Sequence, residues 1–175
     1  MIKLKDILKE VGEGVAPYPF KLHSNIKNNS IHSVMYTFTT EDGDVYIVNF
    51  RSDASRFNVY SLEFYPTSKI DHTDADDADD NIDIILNKGR MFKVMSTLVE
   101  VVLKFISSVK SADQIKFTGV YKKGEMLKNK LKGLGSPTQR DNLYKQYLVK
   151  NIGKAPGWKL VDSVHKFRLI KTTRV

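Results

Sequence analysis

The chain contains no cysteine. That excludes a disulfide framework, a thiolate zinc site and a cysteine nucleophile, and it fits a reducing compartment. No apolar run approaches the roughly 18 residues of a membrane span. The opening stretch "MIKLKDILKEVGEG" has Lys3, Lys5, Asp6, Lys9 and Glu10 where a signal peptide would be continuously apolar. No Ser-centred nucleophile elbow, Walker loop or dinucleotide fingerprint occurs, and no internal repeat. His23, His32, His72 and His165 are scattered without HxxxH spacing, so no metal site is expected. The expectation is a cytoplasmic protein without membrane contact.

At 175 residues the chain suits a single domain, 1–175, able to bury its own core. Charge is unevenly spread. The net +8 divides into 16 Lys+Arg against 4 Asp+Glu over residues 110–175 (16 − 4 = +12) and 12 against 16 over residues 1–109 (12 − 16 = −4). A basic half of this kind suits an acidic protein partner or nucleic acid. Lysine outnumbers arginine, however, and arginine is the better bidentate reader of bases and phosphates.

Apolar periodicity predicts the elements. Ile2, Leu4, Ile7, Leu8 and Val11 fit a short first helix, ended by Gly12 or Gly14. The prolines of "APYPFKL" favour an extended segment and a first edge strand. "SVMYTFTTEDGDVYIVNF" alternates on both sides of Asp42-Gly43, whose residue types suit the positive backbone angles of a tight hairpin turn. "FNVYSLEFYP" is a third antiparallel strand, with Phe57, Val59, Ser61 and Glu63 on one face and Asn58, Tyr60, Leu62 and Phe64 on the other.

An acidic flexible loop is expected at 67–81, with six aspartates between Asp71 and Asp80. Read as a calcium loop from Asp74, it puts Asp79 where an EF-hand needs glycine and Ile85 where it needs glutamate, so the calcium reading fails. "IDIIL" is a short strand. Met91, Val94, Met95, Leu98, Val102, Phe105 and Val109 then mark a largely buried helix of about five turns, its face widened by Phe92, Val99, Val101 and Ile106. "QIKFTGV" is a strand, and 122–136 is a Lys/Gly-rich mobile loop. A helix is expected from Pro137, capped near Ser136, with Leu143, Tyr144, Tyr147 and Leu148 as its apolar face. "GWKLVDSVHKFRLIK" supplies two strands around Asp162-Ser163. The fold class is therefore α/β (α+β): a mixed, mostly antiparallel sheet of six or seven strands flanked by two main helices. Central strands run parallel where helices intervene, with 82–86 beside the "QIKFTGV" strand.

That order, with "NKGRMF" before the long helix and the Leu143-Tyr144 pair in "QRDNLYKQY", resembles the GNAT superfamily of acyl-CoA-dependent N-acetyltransferases over residues 31–171. The resemblance implies acetyl-CoA as cofactor. Its pyrophosphate would be held by the turn and helix start at Lys88, Gly89, Arg90 and Met91. Tyr144 would be the acid that protonates the departing thiolate, and Glu63 the general base that takes a proton from an acceptor amine. The chain also departs from the family pattern. Gly89 is the turn's only glycine, Pro137 stands where the family has asparagine, and Arg140 stands where it has alanine. These departures leave open a second outcome, a catalytically inactive binding or inhibitor protein whose residues 110–175 engage an acidic host protein or nucleic acid. The pattern "G…FKVMSTLVEVVLKFI…IKFTG…R…LYK" is also similar to small accessory proteins of tailed bacteriophages, which implies action in a host-cell cytoplasm.

Overall fold

A computed structural model describes residues 15–53, 55–67, 91–117, 139–151, 154–163 and 166–172. Strands β1 (Phe20–Lys27), β2 (His32–Thr39), β3 (Val45–Asp53) and β4 (Arg56–Pro66) come first. Helix α1 (Met91–Ser108), strand β5 (Gln114–Phe117) and helix α2 (Gln139–Asn151) follow, then strands β6 (Trp158–Ser163) and β7 (Lys166–Lys171). The strands form one seven-stranded sheet in the order β1-β2-β3-β4-β5-β7-β6. Every neighbouring pair is antiparallel except β4 with β5. The fold is thus mixed α+β with a mostly antiparallel sheet, as the periodicity predicts.

Alternation assigns each side chain to a face. The first face carries Val34, Tyr36, Phe38, Tyr46, Val48, Phe50, Tyr60, Leu62, Ile115 and Leu169, all buried. Helix α1 lies on it. Its Val94, Leu98, Val101, Val102 and Phe105 recur at three- and four-residue intervals and are at most 2% exposed. Phe105 stacks on Phe50 with ring centroids 3.9 Å apart and meets Tyr60 edge-on at 4.9 Å. So many β-branched residues form a poor helix in isolation; burial against the sheet holds this one. Helix α2 joins the same core through Tyr147 and Leu148, so both described helices lie on one face.

The approach to β1 is tied to α1 as well. Thr97, fully buried, accepts the Tyr18 N–H at 2.8 Å and donates to the Lys93 carbonyl at 2.7 Å. Ser96 donates to the Val15 carbonyl, and Tyr18 stacks on Phe38. The proline-broken segment therefore crosses the helix before β1 begins at Phe20.

Three expectations need correction. The β2–β3 connection spans Thr40–Asp44, and only Gly43 has a positive φ, 85°, so Asp42 does not share a two-residue turn with it. A longer loop leaves Asp42 in ordinary geometry, without the strain a side chain bears in the left-handed region. The parallel neighbour of Gln114–Phe117 in β5 is β4, where 82–86 was expected, and β7 pairs on the other side. Asp162 and Ser163 are paired strand residues of β6 rather than the turn. The expected first helix, the 82–86 strand, the 122–136 loop and all of 67–81 except Thr67 lie outside the described residues. Among the described residues no helix is long and apolar enough to cross a membrane.

Truncating Phe105 to Ala leaves a cavity between two stacked rings and should cost about 3–5 kcal/mol in urea unfolding. Phe57→Ala, at a ring 48% exposed, should change stability by less than about 0.5 kcal/mol. Equal losses would show that the ring stack on α1 does not hold the core.

Candidate functional site

The end of β4 is where chemistry can collect. β4 pairs with β3 as far as Pro66, but with β5 only from Val59 to Leu62. Glu63, Phe64, Tyr65 and Pro66 therefore run past the described end of β5. A helix returning from a parallel strand starts near that strand's carboxyl end. Lys93, one turn into α1, reaches Glu41 in the β2–β3 loop at this same end of the sheet. Glu41 also accepts the Tyr18 hydroxyl, and the Lys93 ammonium lies 4.3 Å from the Tyr18 ring centre. Hydrogen bonds from Lys93 and then Tyr18 hold the Glu41 carboxyl down to about 2.

Glu63 stands on the second face, exposed. Its carboxylate accepts the Asn49 side-chain amide at 3.4 Å, and Ser33 donates to the Asn49 oxygen at 2.9 Å. Ser33 thus turns the Asn49 NH2 toward Glu63. Burial, and then the Glu63 charge, push the neighbouring Tyr65 phenol up. Among the described residues Glu63 forms no ion pair.

Of the other candidates, Lys88, Gly89 and Arg90 lie outside the described residues. Met91 opens α1 and Tyr144 belongs to α2, but neither side chain is described. The structure therefore describes Glu63 alone of the six in side-chain detail. His165 also lies outside the described residues.

Two features were not legible beforehand. Tyr147 was expected on the apolar face of its helix, and it is buried there, its ring centre 6.3 Å from that of Phe92 in the first turn of α1. Its hydroxyl, however, has no hydrogen-bond partner among the described residues, and burial pushes the phenol up to about 12. A buried orphan hydroxyl costs about 1–3 kcal/mol. A tyrosine in an apolar stripe carries no sequence signal of that kind.

The second is His32, one of four scattered histidines in the sequence. It is buried, with Nδ1 2.6 Å from the Tyr60 hydroxyl and Nε2 2.9 Å from Asn25 Oδ1. The Asn25 oxygen can only accept, so Nε2 carries the proton and Nδ1 accepts from Tyr60. Burial, and then the charge of Lys27, hold the His32 pKa below its usual value. Among the described residues no three His, Asp or Glu side chains converge as metal ligands do.

The folded His32 ring binds its proton less tightly than the unfolded one. Its contribution is full above the unfolded value near 6.5 and is lost as pH falls from there through the folded value. Urea unfolding between pH 7 and 5.5 should lose stability with a slope of up to about 1.4 kcal/mol per pH unit. His32→Gln should flatten it, and an unchanged slope would remove His32 as its source. In comparisons with known proteins, no family model, no curated protein and no solved structure matches this chain.

Proposed function

We propose that this chain is an acyl-CoA-dependent N-acetyltransferase on a GNAT-like scaffold, a phage accessory enzyme acting on an amine in the host cytoplasm. The observation that carries the reading is the single parallel pair. Among the described strands, β4 and β5 stand at the middle of an otherwise antiparallel sheet, joined through α1, with Val59–Leu62 paired to Gln114–Phe117. The resemblance implies a parallel pair beside an acyl-CoA cleft, and β4 supplies that pair here in place of 82–86, with Glu63 one residue beyond the last described rung.

In this reading the helix start around Lys88, Gly89, Arg90 and Met91 holds the cofactor pyrophosphate with backbone amides. The neutral amine attacks the thioester carbonyl carbon and forms the C–N bond. Glu63 takes the amine proton, directly or through a water, the C–S bond breaks, and Tyr144 gives its proton to the departing thiolate. The Ser33–Asn49 relay positions the Glu63 carboxylate for that transfer.

A second reading has support in the departures at Pro137 and Arg140. It keeps the scaffold without the cofactor, and the basic residues of 110–175 engage an acidic host protein or nucleic acid.

Coenzyme A decides between them. At a hundredfold excess over its dissociation constant, a ligand of the folded state stabilises by about 2.7 kcal/mol. That is a rise of about 5–10 °C in Tm for a domain of this size. No rise at millimolar coenzyme A retires the enzyme. If binding is seen, Glu63→Gln and Tyr144→Phe should each lower kcat by about 10²-fold or more with coenzyme A affinity unchanged. A Tyr144→Phe protein with full kcat would remove that residue from the mechanism.

A further inference from the structure

The second face of the sheet carries a feature that the acetyltransferase reading does not use. One rung of cross-strand partners runs through Ser33, Arg51, Ser61, Lys116 and Arg168 to Val161. Three of these residues are cations. Their faces follow from their neighbours: Phe50, Tyr60, Ile115 and Leu169 are buried on the first face, so Arg51, Ser61, Lys116 and Arg168 all project from the second. Three strand spacings separate Arg51 from Arg168, about 14 Å, and long side chains from both ends can lean toward the Ser61 hydroxyl between them.

The arginines are not consumed by the fold. Arg168 Nε is buried and has no hydrogen-bond acceptor among the described residues. Neither Arg51 nor Arg168 forms an ion pair among the described residues. A buried, unpaired guanidinium N–H is costly. Three described lysines are paired, Lys93 with Glu41, Lys154 with Glu100 and Lys171 with Asp113. An arginine fork matches the two oxygens of a carboxylate or phosphate, and a second arginine across a hydroxyl donor closes the other side.

We propose that the Arg51–Ser61–Lys116–Arg168 rung is a binding site for the oxyanion of a small molecule, a phosphate or carboxylate group. Arg168 and Arg51 hold the charge, and Ser61 donates between them. The site is one rung wide, and Glu63, on the same face of β4, puts negative charge two residues away. A nucleic-acid surface needs instead a track of cations following successive phosphates, unbroken by a carboxylate. The proposal requires no coenzyme A, so it stands or falls separately from the acetyltransferase reading.

Isothermal titration tests it with inorganic phosphate in one arm and citrate in the other, coenzyme A absent. Saturable millimolar binding of either anion is expected, and the arm that binds names the oxyanion. Arg168→Gln and Arg51→Gln should each weaken that binding at least tenfold. Lys104→Gln, at an exposed lysine of α1, should leave it unchanged. Arg51 is exposed, so its variant keeps the test decisive if Arg168→Gln fails to fold. No saturable response to either anion overturns the proposal. So does binding indifferent to the arginine variants, an equal loss in Lys104→Gln, or binding confined to a single-stranded oligonucleotide.

Discussion

The docking of α1 on the sheet, centred on Phe105 between Phe50 and Tyr60, is the contact on which the other features rest. Two parallel strands cannot be joined by a tight turn, so the chain between them has to cross the sheet. It does so as a helix whose apolar side has nowhere else to be buried. Once α1 is seated, β5 is delivered alongside β4, the β5–β7 and β7–β6 pairings follow, and Tyr18 is drawn in by Thr97. Rings at 3.9 Å and 4.9 Å leave no slack, and close-packed interiors transmit such constraints across a domain.

Covering one face with both described helices sets the character of the other. The first face is apolar and aromatic, and two of the polar groups within it are satisfied locally: Thr97 by two backbone partners, His32 by Tyr60 and Asn25. The second face holds Glu63 with its Ser33–Asn49 relay and, one rung on, the cations Arg51, Lys116 and Arg168. An acid and a cation row share a surface because strand alternation sends every second residue to the side opposite the two described helices. Burial therefore decides where reactive groups collect, before any ligand is considered.

Much of the architecture was legible in the residues. The alternation of Val34, Tyr36 and Phe38, and of Tyr60, Leu62 and Phe64, marked the meander, while the choice of buried face in β3 and β4 came from packing. The spacing from Val94 to Phe105 marked α1. The errors fell where non-local geometry wins. Asp42-Gly43 is a strong local turn signal, yet the pairing of Thr39 with Val45 spreads the reversal over five residues. Residues 82–86 are apolar and close to α1 in sequence, which made them the natural neighbour of β5. Glu63 was placed on the face it occupies, but nothing local showed that Asn49, fourteen residues earlier, would bind it.

The sequence by itself determined the types of the described elements, the alternation along the meander strands, the apolar face of α1, and the imbalance of charge. These depend on the 2- and 3.6-residue periods and on composition, both read along the chain. Only the tertiary structure decided that β5 lies between β4 and β7, that the Tyr147 hydroxyl is buried beside Phe92 without a partner among the described residues, and that Arg51, Lys116 and Arg168 share one rung. Register is chosen when distant segments compete to bury their apolar faces together, and a shift of one residue would send every side chain of a strand to the opposite face.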